Sequence, residues 1–129
     1  MTLLDAYAEH TGADVIGHLR QLAEPLRGCK VVHVNSTRVG GGVAEILEKL
    51  VPLTRELDVD ASWEVITGSE EFFVCTKQMH NALQGNRVDI APALLQAYED
   101  TSVRNLDQLR PALEAADFVF IHDPQPAPL

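Results

Sequence analysis

An α/β fold, a short parallel sheet between layers of helix, is predicted for this chain of 129 residues by three observations. Short runs rich in β-branched and aromatic residues occur at about 30–35, 61–67 and 118–122. Longer stretches between them repeat apolar residues every three or four positions, the mark of amphipathic helices. Hydrophobic residues make up 46% of the chain and aromatics only 5%, so the core must be built mostly from Leu, Val, Ile and Ala, which suits helices laid on a sheet. The order strand, helix, strand, helices, strand requires crossovers, and right-handed crossovers give parallel strands with helices on both faces.

Each element has its own signals. Two helical stretches open the chain, and in the second Val15, Leu19, Leu22 and Leu26 follow helical spacing, with Pro25 near the stop and Gly28 past it. Lys30–Asn35, KVVHVN, reads as a buried strand, central in the sheet, with the other two strands flanking it. After the glycines at 40–42, Val43, Ile46, Leu47, Leu50, Val51, Thr54 and Leu57 share a helical face. Pro52 removes the hydrogen bond its amide would give to Glu48, so a kink or an early stop is expected there. Ala61–Thr67, ASWEVIT, is the second strand, and Gly68 turns the chain. Ser69 or Thr67 caps a helix running to about Gln84, stopped by Gly85. A linker at 86–91 precedes a short helix from Pro92 to about Glu99 and a further helix to about Ala116. Phe118–His122, FVFIH, is the third strand, and the prolines at 124, 126 and 128 forbid regular structure beyond it.

Composition excludes several function classes. A net charge of −9 argues against nucleic acid, because phosphate neutralisation needs clustered Lys and Arg. No stretch approaches the roughly 18 uninterrupted apolar residues of a membrane helix. Met1–His10 carries Asp5 and Glu9 and no basic region, which is unlike a secretory signal. A cytoplasmic protein is therefore expected, with Cys29 and Cys75 as reduced thiols acting as small buried hydrophobes. No Cys-x-x-Cys or His-Glu-x-x-His pattern and no Gly-x-Ser-x-Gly elbow occurs, so neither a metal site nor nucleophilic triad chemistry is expected.

The glycine turn after the first strand is the most informative piece. Without Cβ atoms at Gly40, Gly41 and Gly42 the backbone can approach a ligand closely, and the free amides of the following helix make an anion site suited to a diphosphate. The stretch satisfies neither the dinucleotide fingerprint nor the P-loop pattern, and the alternative is a tight turn that binds nothing. Further on, Thr76 with His80, and Lys77 with Asn81, each share a helix face. Such a face can present the hydrogen-bond partners a sugar needs, or it can simply be solvated. His122 and Asp123 end the third strand, at the edge where parallel sheets gather ligands. There a His can donate to a sugar hydroxyl and an Asp can accept from one; the alternatives are a satisfied strand-end His and a cap on the proline turn. His33, in mid-strand, reads as a core or sheet-face histidine.

Three stretches in order, HVNSTRVGGGVAEIL, FFVCTKQMHNALQG and HDPQPAPL, closely resemble trehalose glycosyltransferring synthases, over nearly the whole chain from about Gly28 to Leu129. The resemblance implies a retaining glycosyltransferase of GT-B architecture, with two facing Rossmann-like domains, that transfers glucose from a nucleoside diphosphate glucose to free glucose. It implies that Gly41 and Gly42 approach the donor's diphosphate or the sugar next to it, with Gly40 of the same turn as a third donor-binding candidate, and acceptor-side roles for Lys77, His80 and Asn81. His122 and Asp123 are the candidates for the catalytic site. No cofactor is implied, because the nucleotide sugar is a substrate.

Residues 1–129 are accordingly expected to be a truncated, acceptor-side Rossmann-like domain, inactive alone because the donor-binding domain is absent. The third strand should then be an exposed edge through which the chain self-associates. Two other readings stay open: a non-catalytic sugar- or nucleotide-binding module, and a related glycosyltransferase with a different acceptor.

Overall fold

A computed structural model describes all of residues 1–129. Helices α1 (Leu3–Thr11) and α2 (Ala13–Ala23) run into a 3-10 turn at Glu24–Leu26. Then follow strand β1 (Lys30–Asn35), helix α3 (Gly42–Arg55), strand β2 (Asp60–Val65), helices α4 (Glu70–Leu83) and α5 (Pro92–Glu114), and strand β3 (Phe118–Ile121). The sheet has the order β2-β1-β3, with both pairings parallel and β1 central as expected. No helix is long and apolar enough to cross a membrane.

Alternation along β1 divides the molecule into layers. Val32 and Val34 point to one side and join Ile66 and Phe72 in a buried cluster, against which Tyr98, Leu109 and Leu113 of α5 pack. On the other side Leu47 and Val51 of α3 close over Ala61 of β2, beside Trp63. Helices therefore cover both faces, and the α/β class predicted from the sequence is the observed one.

Several elements differ in detail, each for a physical reason. The two helices expected between Pro92 and Ala116 are one continuous helix of 23 residues. Buried Thr101, Ser102 and Asn105 hold its middle against the molecule, and no breaker stands near Glu99. Pro111, inside the helix, removes a single bond without ending it. In α2 the buried residues are Ile16 and Ala23, whereas Val15 and Leu22, expected on the inner face, are exposed. In α3 the buried stripe is Ala44, Leu47 and Val51, and Ile46 faces outward. The apolar arc of each helix is wider than the neighbour that covers it. Pro52 lies in the last turn of α3, which stops at Arg55, short of Leu57. Strands β2 and β3 end before the predicted Thr67 and His122. Cys75 is fully buried, and burial pushes its thiol up from the usual value, while Cys29 is only half-buried.

Candidate functional site

The glycine turn is built by residues on both sides of it. Asn35, 1% exposed at the end of β1, accepts a hydrogen bond from the Trp63 indole at 2.7 Å and donates to the Thr37 carbonyl at 2.7 Å. Arg38 donates to the Trp63 carbonyl and lays its guanidinium 4.3 Å from the centre of the indole ring. The chain then passes through Gly40 and Gly41 at φ of 78° and 85°, a region that residues with a Cβ rarely enter. Gly42 differs from the other two in its backbone, since it begins α3 in helical conformation; a Cβ added at any of the three would meet nothing within 4 Å. No side chain caps the helix at Gly41, so its first amides are left for water or an anion.

A second group forms where α4 meets the segment after β3. Phe73, Thr76, Lys77 and His80 of α4 line a cavity of about 290 Å³ with Asp123, Pro124 and Gln125. Two motifs more than forty positions apart thus share one polar hollow. The C-terminal segment is held there by Tyr98, whose hydroxyl donates to the Pro124 carbonyl at 2.9 Å. Asp123 adopts φ 69°, a strained left-handed conformation for an aspartate, which turns the chain sharply into the cavity wall. Thr76 is buried and spends its hydroxyl on the Phe73 carbonyl. Asn81, half-buried on the same helix, is not among the lining residues.

His122 takes a different partner from Asp123. Its backbone amide donates to the Val34 carbonyl at 2.9 Å, continuing the ladder beyond β3. Its imidazole Nε2 lies 3.1 Å from Nδ1 of His33, which is 6% exposed. Burial, and secondly the neighbouring His122, hold His33 below the usual imidazole value of 6.5. No group of three or more His, Cys, Asp or Glu side chains is placed to hold a metal ion.

Sequence reasoning did not give Gln125, Asn35 or Trp63 a role. Gln125 lies inside a motif singled out above, and its Oε1 is buried without a donor. Asn35 directly precedes the turn but draws attention only once Trp63 is seen across the strand pair.

A family model described as the trehalose synthase N-terminal domain matches residues 33–129. The chain belongs to this family. It is 46% identical over 127 residues to a trehalose synthase of Thermococcus litoralis, covering 98% of this chain and 30% of the relative. A trehalose synthase of Rubrobacter xylanophilus is 45% identical over 114 residues, which is 88% of this chain and 27% of the relative. A trehalose phosphorylase of Pleurotus pulmonarius is 35% identical over 135 residues, 95% of this chain and 18% of the relative. The chain therefore spans less than a third of the length of these relatives.

Proposed function

We propose that this trehalose synthase N-terminal domain is the acceptor side of a retaining GT-B transferase that moves glucose from a nucleoside diphosphate glucose to free glucose, forming trehalose. The observation that carries the reading is the shared cavity of α4 and the segment after β3. Lys77, His80, Asp123 and Gln125 line it, and its volume of about 290 Å³ is at the lower end of small-molecule sites. A free sugar presents only hydroxyls, which both donate and accept. Lys77 supplies donors, Asp123 acceptors, and the unpartnered Oε1 of Gln125 an acceptor whose burial without a hydroxyl costs about 1–3 kcal/mol. Asn81 joins this acceptor side from the same helix.

Gly40, Gly41 and Gly42 face the donor's diphosphate through the uncapped start of α3. His122 and Asp123 stand at the catalytic centre, where the imidazole meets a sugar hydroxyl and the carboxylate accepts from one. The reaction as proposed uses no cofactor and takes place in the cytoplasm. Residues 1–129 alone leave the departing diphosphate without the second half of the cleft, so they are proposed to be inactive.

The relatives support an acceptor role in a further way. Synthases and phosphorylases of trehalose differ by name in chemistry and have trehalose in common, so a domain shared by both suits the sugar rather than the leaving group. The test is a trehalose assay on a polypeptide of the relatives' length carrying this domain, offered free glucose with each nucleoside diphosphate glucose in turn. Trehalose from at least one donor supports the reading, and product from none overturns it. Product only when glucose 1-phosphate replaces the nucleotide sugar also overturns it, in favour of the chemistry for which the Pleurotus pulmonarius relative is named.

A further inference from the structure

We propose that His33 is a positioning residue, which locks the imidazole of His122 and leaves Nδ1 as the one ring nitrogen His122 can offer a ligand. The proposal rests on the reading of His122 as a sugar-site residue. His33 pairs with Phe120 across the parallel strands, so His122, two residues on, projects from the same face of the sheet. The two rings lie 5.3 Å apart at 20°, with His33 Nδ1 3.1 Å from His122 Nε2.

The two members are not equivalent. His33 sits inside the central strand, 6% exposed, and stacks on Phe120 at 5.0 Å and 17°. The groove beside it is lined by apolar residues, among them Leu19, Leu22, Leu57 and Val59, and by Thr54, whose hydroxyl donates to the Leu50 carbonyl at 2.8 Å, so no charged group faces the ring there. His122 lies beyond the strand, next to the strained turn at Asp123. The anchored ring therefore orients the unanchored one. A hydrogen bond between two imidazoles needs one N–H and one lone pair, so the tautomer of each ring dictates that of the other. The bond also forbids both rings from being cationic together. A side chain held by such support arrives at its substrate already oriented.

Long-range proton–nitrogen NMR of residues 1–129 reads the tautomers directly, without any activity. The groove around His33 is apolar apart from the Thr54 hydroxyl, so a proton on His33 Nδ1, donated to His122 Nε2, avoids burying an N–H without an acceptor, and His122 is expected as the Nδ1–H tautomer in the parent chain. In His33→Phe, which keeps a ring against Phe120 but no polar atom, it should become a mixture while the melting temperature is held. In His33→Asn, whose amide nitrogen stands near the place of Nδ1, the single tautomer should return although stability falls. An unchanged His122 spectrum in His33→Phe overturns the proposal. In the longer polypeptide, His33→Phe should lower trehalose formation by up to roughly 100-fold, the size of effect that a misplacement of about 1 Å brings. Normal transfer by His122→Ala in that polypeptide would instead overturn the reading of His122 as a sugar-site residue, and with it any purpose for the lock, whatever the NMR shows.

Discussion

At the scale of single residues, Gly42 offers a cleaner test than its neighbours. Gly40 and Gly41 hold positive φ, so a β-branched side chain there strains the backbone by about 1–2 kcal/mol and confuses folding with function. At Gly42 the backbone is helical and the space is open, so Gly42→Val should change stability by no more than about 0.5 kcal/mol. In a polypeptide of the relatives' length it should nevertheless cut transfer roughly tenfold or more, because the side chain blocks the approach of the diphosphate. Urea melts and transfer kinetics on the same preparation check this, and unimpaired kinetics would reduce the turn to a connection. On the acceptor side, His80→Ala and Asn81→Ala should each raise the KM for glucose roughly threefold to tenfold, with little change for the donor, as the loss of one hydrogen bond to a neutral group requires. Because Asn81 lies outside the cavity lining, it is the more exposing test of the two: an equal effect on both substrates removes it from the acceptor side. His33 gives a pH dependence. Its folded value is held below 6.5, so the unfolded chain takes up a proton that the folded chain refuses. Stability should therefore fall as the pH drops below 6.5 and until His33 protonates in the fold as well. Denaturation of residues 1–129 across that window should show the slope, and His33→Phe should flatten it. Glu56, lowered by bonds from the amides of Leu3 and Leu4, contributes above the usual carboxylate value of 4.5 and is lost only in more acidic solution.

At the scale of elements, two contacts deserve a test by mutation. Asn105 of α5 accepts from the Thr67 amide at 2.9 Å and donates to the Thr67 and Thr101 carbonyls at 2.7 and 2.8 Å, so it ties the loop after β2 to the long helix. Asn105→Ala should cost about 1–3 kcal/mol, read by urea denaturation, because it strands the buried groups it now satisfies. A change within a few tenths would mean that water replaces the side chain at no cost. Strand β3 is the other case. It lies at the sheet edge, and Phe118 and Phe120 are 49% and 51% exposed. The outer backbone groups of such a strand are a template for another strand. We propose that residues 1–129 pair through it, so that light scattering over a concentration series should show dimers or larger species. A chain that stays monomeric at millimolar concentration would mean that α2 and the 3-10 turn after it, which line a groove with Phe120 through Leu19 and Leu22 and through Leu26, suffice to shield the edge.

At the scale of the whole molecule, the domain brings the two proposed half-sites to the ends of parallel strands, where such sheets hold their ligands. One is the amide-rich start of α3 after the central strand, and the other is the polar cavity between α4 and the segment after β3. Residues 1–129 mixed with a nucleoside diphosphate glucose and glucose should form no trehalose above a blank, and turnover there would show that the half-cleft is sufficient.

The sequence by itself determined the class of the fold, the central place of β1, the glycine turn and the family, because these depend on local chemistry: β-branched runs, helical periodicity, breakers and motifs read in order. It could not decide that Pro92–Glu114 is one helix, since continuity there depends on Thr101, Ser102 and Asn105 being buried against distant residues. Nor could it decide which arc of α2 and α3 is covered, because apolar spacing marks a face without saying how wide the neighbour is. The tertiary structure alone joined Lys77 and His80 to Asp123 and Gln125, and His33 to His122. The physical reason is the same in each case: the partners are 43 to 89 positions apart, and only the parallel sheet, which carries β3 back beside β1 after two long helices, closes that distance.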